Sequence, residues 1–153
     1  MKITDILVRD AVILELASGS KRDVLSEMAH ALVQAEPGID EARLLEVLLE
    51  REKLQSTGIG EGVAIPHGKL PGLKRLVASF ARSSRGVDFE SIDGQPTYLF
   101  FLLVVPEHSG GQHLKALARI SRFFRDASFR KQLLEAERRE DVFQAIESED
   151  AKF

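Results

Sequence analysis

The chain has 153 residues, 44% of them hydrophobic and 29% charged, a composition that indicates one folded globular domain and excludes a disordered chain. Its formal net charge of −3 argues against nucleic-acid binding, and the lack of cysteine excludes disulfides, thiolate metal sites and a cysteine nucleophile. The longest apolar run, residues 98–105, is too short to span a bilayer, and the amino-terminal residues lack the pattern of a secretory signal. We therefore expect a cytoplasmic protein, without membrane insertion, that forms a single domain over residues 1–153.

The first third of the chain predicts one strand followed by two helices. Branched apolar residues over 12–17 are typical of a strand. Helical spacing of apolar residues over 24–33 predicts a helix that has Ser20 as its N-cap. Asp40 is the predicted N-cap of a second helix, which carries a leucine stripe and ends near residues 51–55.

The middle of the chain changes to glycine-rich and strand-like patterns. Residues 56–69 contain four glycines and a proline, which predicts a shaped loop with one short strand over 63–65. Residues 77–81 are typical of a strand. The continuous branched and aromatic run over 97–105 predicts a strand that is covered on both faces and lies at the centre of the sheet.

Helices are expected to follow this strand. Ser109 and Gln112 fit a capping box, and a helix with the apolar stripe Leu114, Leu117, Ala118, Ser121 and Phe124 is predicted to follow. Two shorter helices are predicted over 129–136 and 140–146. Strands interleaved with helices predict an α/β fold, a single layered domain with a central mixed β-sheet flanked by α-helices.

The glycine-rich segment does not match either common nucleotide-binding motif. Gly58-Ile59-Gly60 begins a dinucleotide fingerprint, but the sixth position is Val63. A phosphate-binding P-loop requires four residues between its glycines and a hydroxyl after the lysine, whereas Gly62 and Gly68 enclose five and Leu70 follows Lys69. The glycines still permit backbone amides to approach a small anion.

His67 is the principal candidate for chemistry within this segment. Pro66 and Gly68 flank it, so its ring is expected to be accessible, and a neutral imidazole is nucleophilic near physiological pH. Five basic residues and no acidic one lie over 69–85, a bias that attracts an anion. These features favour phosphoryl transfer, and the alternatives are an ordinary loop histidine and a solvated basic face.

Four further positions have side chains suited to holding phosphate. Arg51 precedes the loop and can bind phosphate bidentately, and the hydroxyls of Ser56 and Thr57 can donate to the same oxygens. His113 is expected in the first turn of a helix, where the helix dipole favours an anion. An exposed arginine is, alternatively, simply solvated.

A metal site is a separate alternative. His108 and His113, with Glu107, are types of residue that ligate metals, and together with His67 they define the hypothesis of a metal-assisted hydrolase. The five-residue spacing of the two histidines across a loop is weak support for it.

Residues 56–69, Ser-Thr-Gly-Ile-Gly-Glu-Gly-Val-Ala-Ile-Pro-His-Gly-Lys, closely resemble the active-site segment of one bacterial protein family. This family comprises the IIA proteins (EIIA type 2) of the phosphoenolpyruvate-dependent phosphotransferase system, in the fructose/mannitol class. Residues 86–89, 92–96, 106–107 and 112–114 resemble later family segments, so that the similarity extends from about Ile3 to Ile146. The resemblance implies the EIIA type 2 fold.

The resemblance also implies roles for individual residues. His67 matches the phosphoacceptor histidine, phosphorylated on the ring nitrogen remote from the backbone, Arg51 matches the supporting arginine and His113 the second active-site histidine. The loop amides, at Gly68 for example, and nearby hydroxyls would stabilise the phosphoryl group. The implied donor is a histidine phosphocarrier protein of the HPr or NPr type, and no cofactor, metal or nucleic acid is needed.

The branch of the family decides the biological role. Residues 1–7 and 56–60 resemble the nitrogen-regulatory IIA proteins most, which implies a phosphorylation-dependent change in protein partners. The alternatives are a fructose- or mannitol-specific IIA that serves a separate IIB and membrane IIC component, and an interaction module that binds independently of phosphorylation.

Overall fold

Five helices and five strands form the regular structure of the computed structural model, which describes residues 1–153. The helices are α1 (Lys21–Ala35), α2 (Glu41–Leu54), α3 (Gln112–Arg125), α4 (Ala127–Glu135) and α5 (Arg139–Asp150). The strands are β1 (Gly58–Gly60), β2 (Val63–Ala64), β3 (His67–Leu70), β4 (Val77–Val87) and β5 (Thr97–Pro106). Two 3₁₀ turns, Ile3–Asp5 and Arg9–Ala11, precede α1. None of the helices has the length and apolar character that a membrane span requires.

β5 is the central strand of a mixed sheet. It pairs antiparallel with β4, where Phe80 lies opposite Phe101. It pairs parallel with both β2 and β3, and because β4 occupies one edge of β5, these two short strands follow one another along the opposite edge. β1 pairs antiparallel with β2. The predicted mixed sheet is confirmed.

The side chains of β5 alternate between two helical layers. Those that pack with α1 and α2 are Phe100, Leu102 and Val104. Those that pack with α3, α4 and α5 are Leu99, Phe101, Leu103 and Val105. All seven are buried, so the prediction that this strand is covered on both faces is confirmed, as is the α/β layered architecture.

The first two helices begin as their sequence predicts. The Ser20 hydroxyl accepts a hydrogen bond from the Asp23 amide at 3.2 Å, and the Asp40 carboxylate accepts one from the Arg43 amide at 3.2 Å. These bonds satisfy amides that have no partner within the helix. α2 then continues to Leu54, which places Arg51 in its last turn.

The predicted strand over residues 12–17 is wrong. This segment makes only an isolated bridge between Ile13 and Ala81, and Leu16 donates to the Arg82 carbonyl at 2.7 Å. A 3₁₀ turn precedes it and a bend follows Ile13, so the regular alternation of a ladder is not maintained. The segment is an irregular edge along β4.

The glycine-rich segment has more strand structure than predicted. Residues 56–69 contain β1, β2 and the start of β3 rather than one short strand. β2 and β3 are separated at Ile65 and Pro66, since a proline has no amide to contribute to the ladder. His67 is therefore the first residue of β3, with Leu103 of β5 opposite it.

The predicted start and stripe of α3 are wrong in detail. The helix begins at Gln112, its N-cap Gly111 makes no side-chain bond, and the Ser109 hydroxyl lies 3.3 Å from Nδ1 of His113 instead. The buried residues are Ala116, Ile120, Phe123 and Phe124. Leu114 is 62% exposed because the apolar residues of α3 are divided between the core and a surface pocket. α4 and α5 form close to their predicted positions.

Candidate active site

His67 opens into a pocket of about 610 Å³ between α2, β3, β5 and α3. Arg51 and His113 line the same pocket, so the fold brings together the three residues that the sequence identified as principal candidates. The remaining lining residues are Arg43, Val47, Glu50, Leu54, Gly68, Lys69, Leu103, Val105, Leu114 and Leu117. Arg51 and His67 lie 16 positions apart in the chain and are joined by a hydrogen bond.

Two contacts determine the orientation and tautomer of the His67 ring. Nδ1 lies 2.9 Å from the Ile65 carbonyl oxygen, and Nε2 lies 3.3 Å from Nε of Arg51. A carbonyl only accepts and a guanidinium only donates, so the neutral ring carries its proton on Nδ1. The lone pair of Nε2 is consequently directed toward Arg51 at the pocket.

The pKa of His67 is lowered from its ordinary value of 6.5. Burial of the half-buried ring is the largest cause, and the positive charge of Arg51 and the neighbouring His113 lower the pKa further. The hydrogen bond to the Ile65 carbonyl and the negative charge of Glu52 oppose this shift. The ring is therefore neutral at physiological pH, which is the state that a nitrogen nucleophile needs.

Arg51 approaches the ring from the last turn of α2. Its Nη1 donates to the Gln55 carbonyl at 2.9 Å, which fixes the guanidinium beside the end of its own helix. Its Nε donates to His67, and no carboxylate forms an ion pair with it. An arginine held in this way retains positive charge for an anion in the pocket.

His113 lies in the first turn of α3, as expected. Its Nδ1 is 3.0 Å from the Gly110 carbonyl oxygen, so this nitrogen carries a proton. A doubly protonated ring then has a second N–H, on Nε2, available as a donor. The position near the positive end of the helix dipole favours an anion at this point.

The fold does not bring the hydroxyls of Ser56 and Thr57 to the pocket. The Ser56 hydroxyl donates to the Phe89 carbonyl at 2.7 Å and accepts from the Gly58 amide at 3.0 Å. The Thr57 hydroxyl is buried and donates to the carboxylate of Glu52. Both hydroxyls hold the loop in place, and the expectation that they contact the phosphoryl group lacks support in this geometry.

Gly68, which lines the pocket, leaves no room for a side chain. A Cβ atom at this position would lie 2.5 Å from Cγ1 of Val47 on α2. This distance is shorter than any normal contact between carbon atoms. The glycine therefore allows α2 to approach β3 closely enough for Arg51 to reach His67.

The basic run over residues 69–85 is dispersed in the structure. Of its five members only Lys69 lines the pocket. Arg75 forms an ion pair with Glu36, and Arg82 donates to carbonyls at the end of α4, such as that of Ala136 at 2.7 Å. The local excess of positive charge in the sequence is therefore not a single surface.

The histidine-based metal hypothesis is not supported by the geometry. His108 lies beside a different cavity from His67 and His113. The structure has no group of three or more His, Cys, Asp or Glu side chains arranged to hold a metal ion.

Sequence patterns missed the apolar rim of the pocket. Leu54 is 82% exposed and Leu114 is 62% exposed, and each lines the pocket beside Arg51 or His113. The sequence did contain one signal for this rim: Leu54 lies outside the leucine stripe of α2, so its side chain was not needed for the core. Exposed leucines around a charged site are typical of a surface that contacts another protein.

Comparison with known proteins identifies the family. Residues 5–149 match the family model described as "Phosphoenolpyruvate-dependent sugar phosphotransferase system, EIIA 2". A nitrogen regulatory protein from Bradyrhizobium diazoefficiens is 50% identical over 133 residues, which are 87% of this chain and 86% of that protein. The fructose-specific EIIABC component from Bacillus subtilis is 41% identical over 150 residues, 98% of this chain but only 24% of that longer protein.

A solved structure agrees with this assignment. The crystal structure of the nitrogen regulatory protein IIA-Ntr from Neisseria meningitidis has a TM-score of 0.88 and is 37% identical, with 94% of this chain and 98% of that chain covered. The chain therefore belongs to the EIIA type 2 family of the phosphotransferase system, a family of phosphotransfer components.

Proposed function

We propose that the chain is a phosphocarrier that accepts a phosphoryl group on Nε2 of His67 from a histidine phosphocarrier protein. The observation that carries this proposal is the pair of contacts on the His67 ring. The Ile65 carbonyl holds the proton on Nδ1, and the lone pair of Nε2 faces the pocket, where it accepts only from the guanidinium of Arg51.

The proposed reaction exchanges one nitrogen–phosphorus bond for another. The Nε2 lone pair of His67 attacks the phosphorus of the donor's phosphohistidine, the bond from phosphorus to the donor nitrogen breaks, and its electron pair returns to the donor ring. Nδ1 of His67 keeps its proton and its bond to Ile65 throughout. Arg51 stabilises the charge on the equatorial oxygens, and Lys69 adds a second positive charge at the pocket.

We assign His113 and Gly68 supporting parts in this reaction. A protonated His113 donates through Nε2 to a phosphoryl oxygen, while its Nδ1 remains on the Gly110 carbonyl. Gly68 acts indirectly, because it lets α2 pack against β3 closely enough for Arg51 to reach His67. Ser56 and Thr57 are left out of phosphoryl binding, because their hydroxyls are occupied in the loop.

Phosphopeptide mapping tests the proposal directly. The protein is incubated with phosphoenolpyruvate, the first enzyme of the phosphotransferase system and a histidine phosphocarrier protein. Its intact mass is then measured, and its peptides are mapped to locate the phosphoryl group. We expect one acid-labile phosphoryl group on His67, none on the His67→Ala variant, and normal labelling of His30→Ala, which changes an exposed histidine on α1. Full labelling of His67→Ala, or no labelling of the folded parent, refutes the proposal.

We further infer a regulatory role, in which phosphorylation of His67 changes the protein partner. The nitrogen regulatory relatives in Bradyrhizobium and Neisseria support this branch. The 41% identity to the fructose-specific component supports the second candidate, a sugar-specific IIA that passes the group to a separate IIB.

Transfer to a IIB protein distinguishes these two branches. The phosphorylated chain is mixed with a purified fructose-class IIB, and the loss of phosphohistidine is followed by mass spectrometry. For a regulator we expect the phosphoryl group to stay on His67. Rapid transfer to IIB, compared with a mock incubation, overturns the regulatory assignment in favour of sugar transport.

A further inference from the structure

A buried carboxylate lies directly behind the candidate active site. Glu52 follows Arg51 in the last turn of α2, its side chain is only 4% exposed, and it does not line the pocket. One carboxylate oxygen accepts from the Thr57 amide at 3.1 Å, and the other accepts from the Thr57 hydroxyl. The carboxylate therefore binds both polar donors of Thr57, the second residue of the glycine-rich segment.

Lys21 balances the charge of this carboxylate. Its Nζ lies 2.9 Å from Glu52 and 3.2 Å from the exposed Glu90, and it lies 5.0 Å from the centre of the Phe89 ring. The side chain of Lys21 is 17% exposed, so most of this ion pair is shielded from water. A buried ion pair is a poor source of stability, because apolar residues of similar size are often as good or better.

Hydrogen bonds connect Glu52 to the ring of His67 through two residues. The Thr57 carbonyl accepts from the Ile65 amide at 3.0 Å, and the Ile65 carbonyl accepts from Nδ1 of His67 at 2.9 Å. Nε2 of His67 accepts from Arg51, which is covalently joined to Glu52. These contacts form a closed circuit that begins at Glu52 and ends at Arg51, on the same turn of α2.

We propose that Glu52, held by Lys21, is a positioning residue that fixes the His67 ring through Thr57 and Ile65. This inference rests on the function proposed above for His67. Glu52 anchors the backbone that presents the Ile65 carbonyl, and this carbonyl keeps the proton on Nδ1, so that Nε2 stays unprotonated and able to attack phosphorus. An active-site ring displaced by about 1 Å can lose about 100-fold in rate, so an anchor at this point affects transfer without touching the substrate.

Glu52 also acts on the His67 ring through its charge, and this effect is separate from the positioning role. Burial is the main cause of the lowered pKa of His67, and the positive charge of Arg51 acts in the same direction. The negative charge of Glu52 opposes both. Glu52 thus partly offsets the field of Arg51 at the ring, in addition to holding its hydrogen-bond partner in place.

The test uses variants that remove single atoms or charges from this network. Thr57→Val removes the hydroxyl and keeps the shape, Thr57→Ser restores a hydroxyl, and Glu52→Gln removes the charge. The matched control is Asp150→Asn, since Asp150 is an equally buried carboxylate that accepts from two amides and pairs with Arg119 away from the pocket. Nitrogen-15 NMR of the histidine rings, recorded without any phosphoryl donor, reports the tautomer of His67.

We expect the parent to show a single Nδ1–H tautomer. Thr57→Val and Glu52→Gln should show a mixture of tautomers and a kcat for phosphoryl transfer about 10- to 100-fold lower, with an unchanged KM for the donor protein. Thr57→Ser should regain the parental spectrum. Asp150→Asn should lower the melting temperature and leave the His67 resonances unchanged.

Two results overturn the inference: parental His67 resonances in folded Thr57→Val and Glu52→Gln, or an equal disturbance by Asp150→Asn. If Glu52→Gln does not fold, the comparison of Thr57→Val with Thr57→Ser decides. The NMR experiment needs no phosphoryl transfer, so a parent that accepts no phosphoryl group refutes the proposed function while the tautomer data still test Glu52.

Discussion

The substitution Gly68→Ala tests the close packing of α2 against β3 beside the active site. The new Cβ would lie 2.5 Å from Cγ1 of Val47, whereas carbon atoms in contact are separated by about 3.5 to 4.0 Å. Val47 therefore has to move by about 1 Å, and a β-branched side chain on a helix has few other rotamers. Overpacking of this kind costs about 1–3 kcal/mol, which lowers the melting temperature by about 2–12 °C in a chain of this size.

A double-mutant cycle separates this steric effect from other effects of Gly68→Ala. Val47→Ala removes the clashing methyl group, so adding Gly68→Ala to it should cost much less than in the parent, with a coupling energy of about 1–3 kcal/mol. Gly19→Ala is the control, because nothing lies within 4 Å of a Cβ there and its backbone needs no left-handed conformation. Denaturant unfolding measures the stability of the parent, the two single variants, the double variant and the Gly19→Ala control. A cost of Gly68→Ala that is unchanged in the Val47→Ala background refutes the reasoning.

Three other predictions concern the site and the core. Because burial lowers the pKa of His67, the ring should stay neutral at pH values somewhat below its ordinary pKa of 6.5, and NMR titration of the histidine rings measures this. The transfer rate should decline only once the pH falls below the lowered pKa. The free energy of unfolding should decrease as the pH drops from 6.5 to the lowered pKa, because in that window the unfolded chain binds the proton and the folded chain does not. Arg51→Ala should lower the transfer rate about 100- to 1000-fold in a stopped-flow assay, and Arg51→Lys should not restore it. Asp150→Ala should cost about 3–5 kcal/mol in urea unfolding, since it removes the buried partner of the partly buried Arg119 and the acceptor of the Ile3 and Thr4 amides.

The sequence predicted elements well where local signals and tertiary packing agree. Ser20 and Asp40 were correctly identified as N-caps, since their hydrogen bonds depend only on residues three positions away. The run over 97–105 was correctly placed at the centre of the sheet, because a strand covered on both faces is apolar at every position. Residues 12–17 are also rich in branched apolar residues, but their pairing is interrupted by turns that composition does not reveal.

The structure places Arg51, His67 and His113 in one pocket, but it places the hydroxyls of Ser56 and Thr57 outside that pocket because other groups bind them. Arg51 lies 16 positions before His67, at the end of the helix that leads into the motif over residues 56–69. The hydroxyls of Ser56 and Thr57 lie in the same motif, but the Phe89 carbonyl and the buried Glu52 bind them first. These hydrogen bonds depend on residues that the fold brings together, and the sequence alone does not indicate which acceptor a hydroxyl will reach.

The geometry of Arg51 connects the proposed chemistry to a change in surface charge. In the unphosphorylated protein Nε of Arg51 donates to Nε2 of His67, the atom that we propose receives phosphorus. Once phosphorylated, this nitrogen no longer accepts, so the guanidinium is released to the phosphoryl oxygens. The added charge of about −1.5 to −2 then lies beside the exposed Leu54 and Leu114. A partner that packs on these leucines meets a positive pocket in one state and a neutralised or negative one in the other, which is sufficient to make its binding depend on phosphorylation.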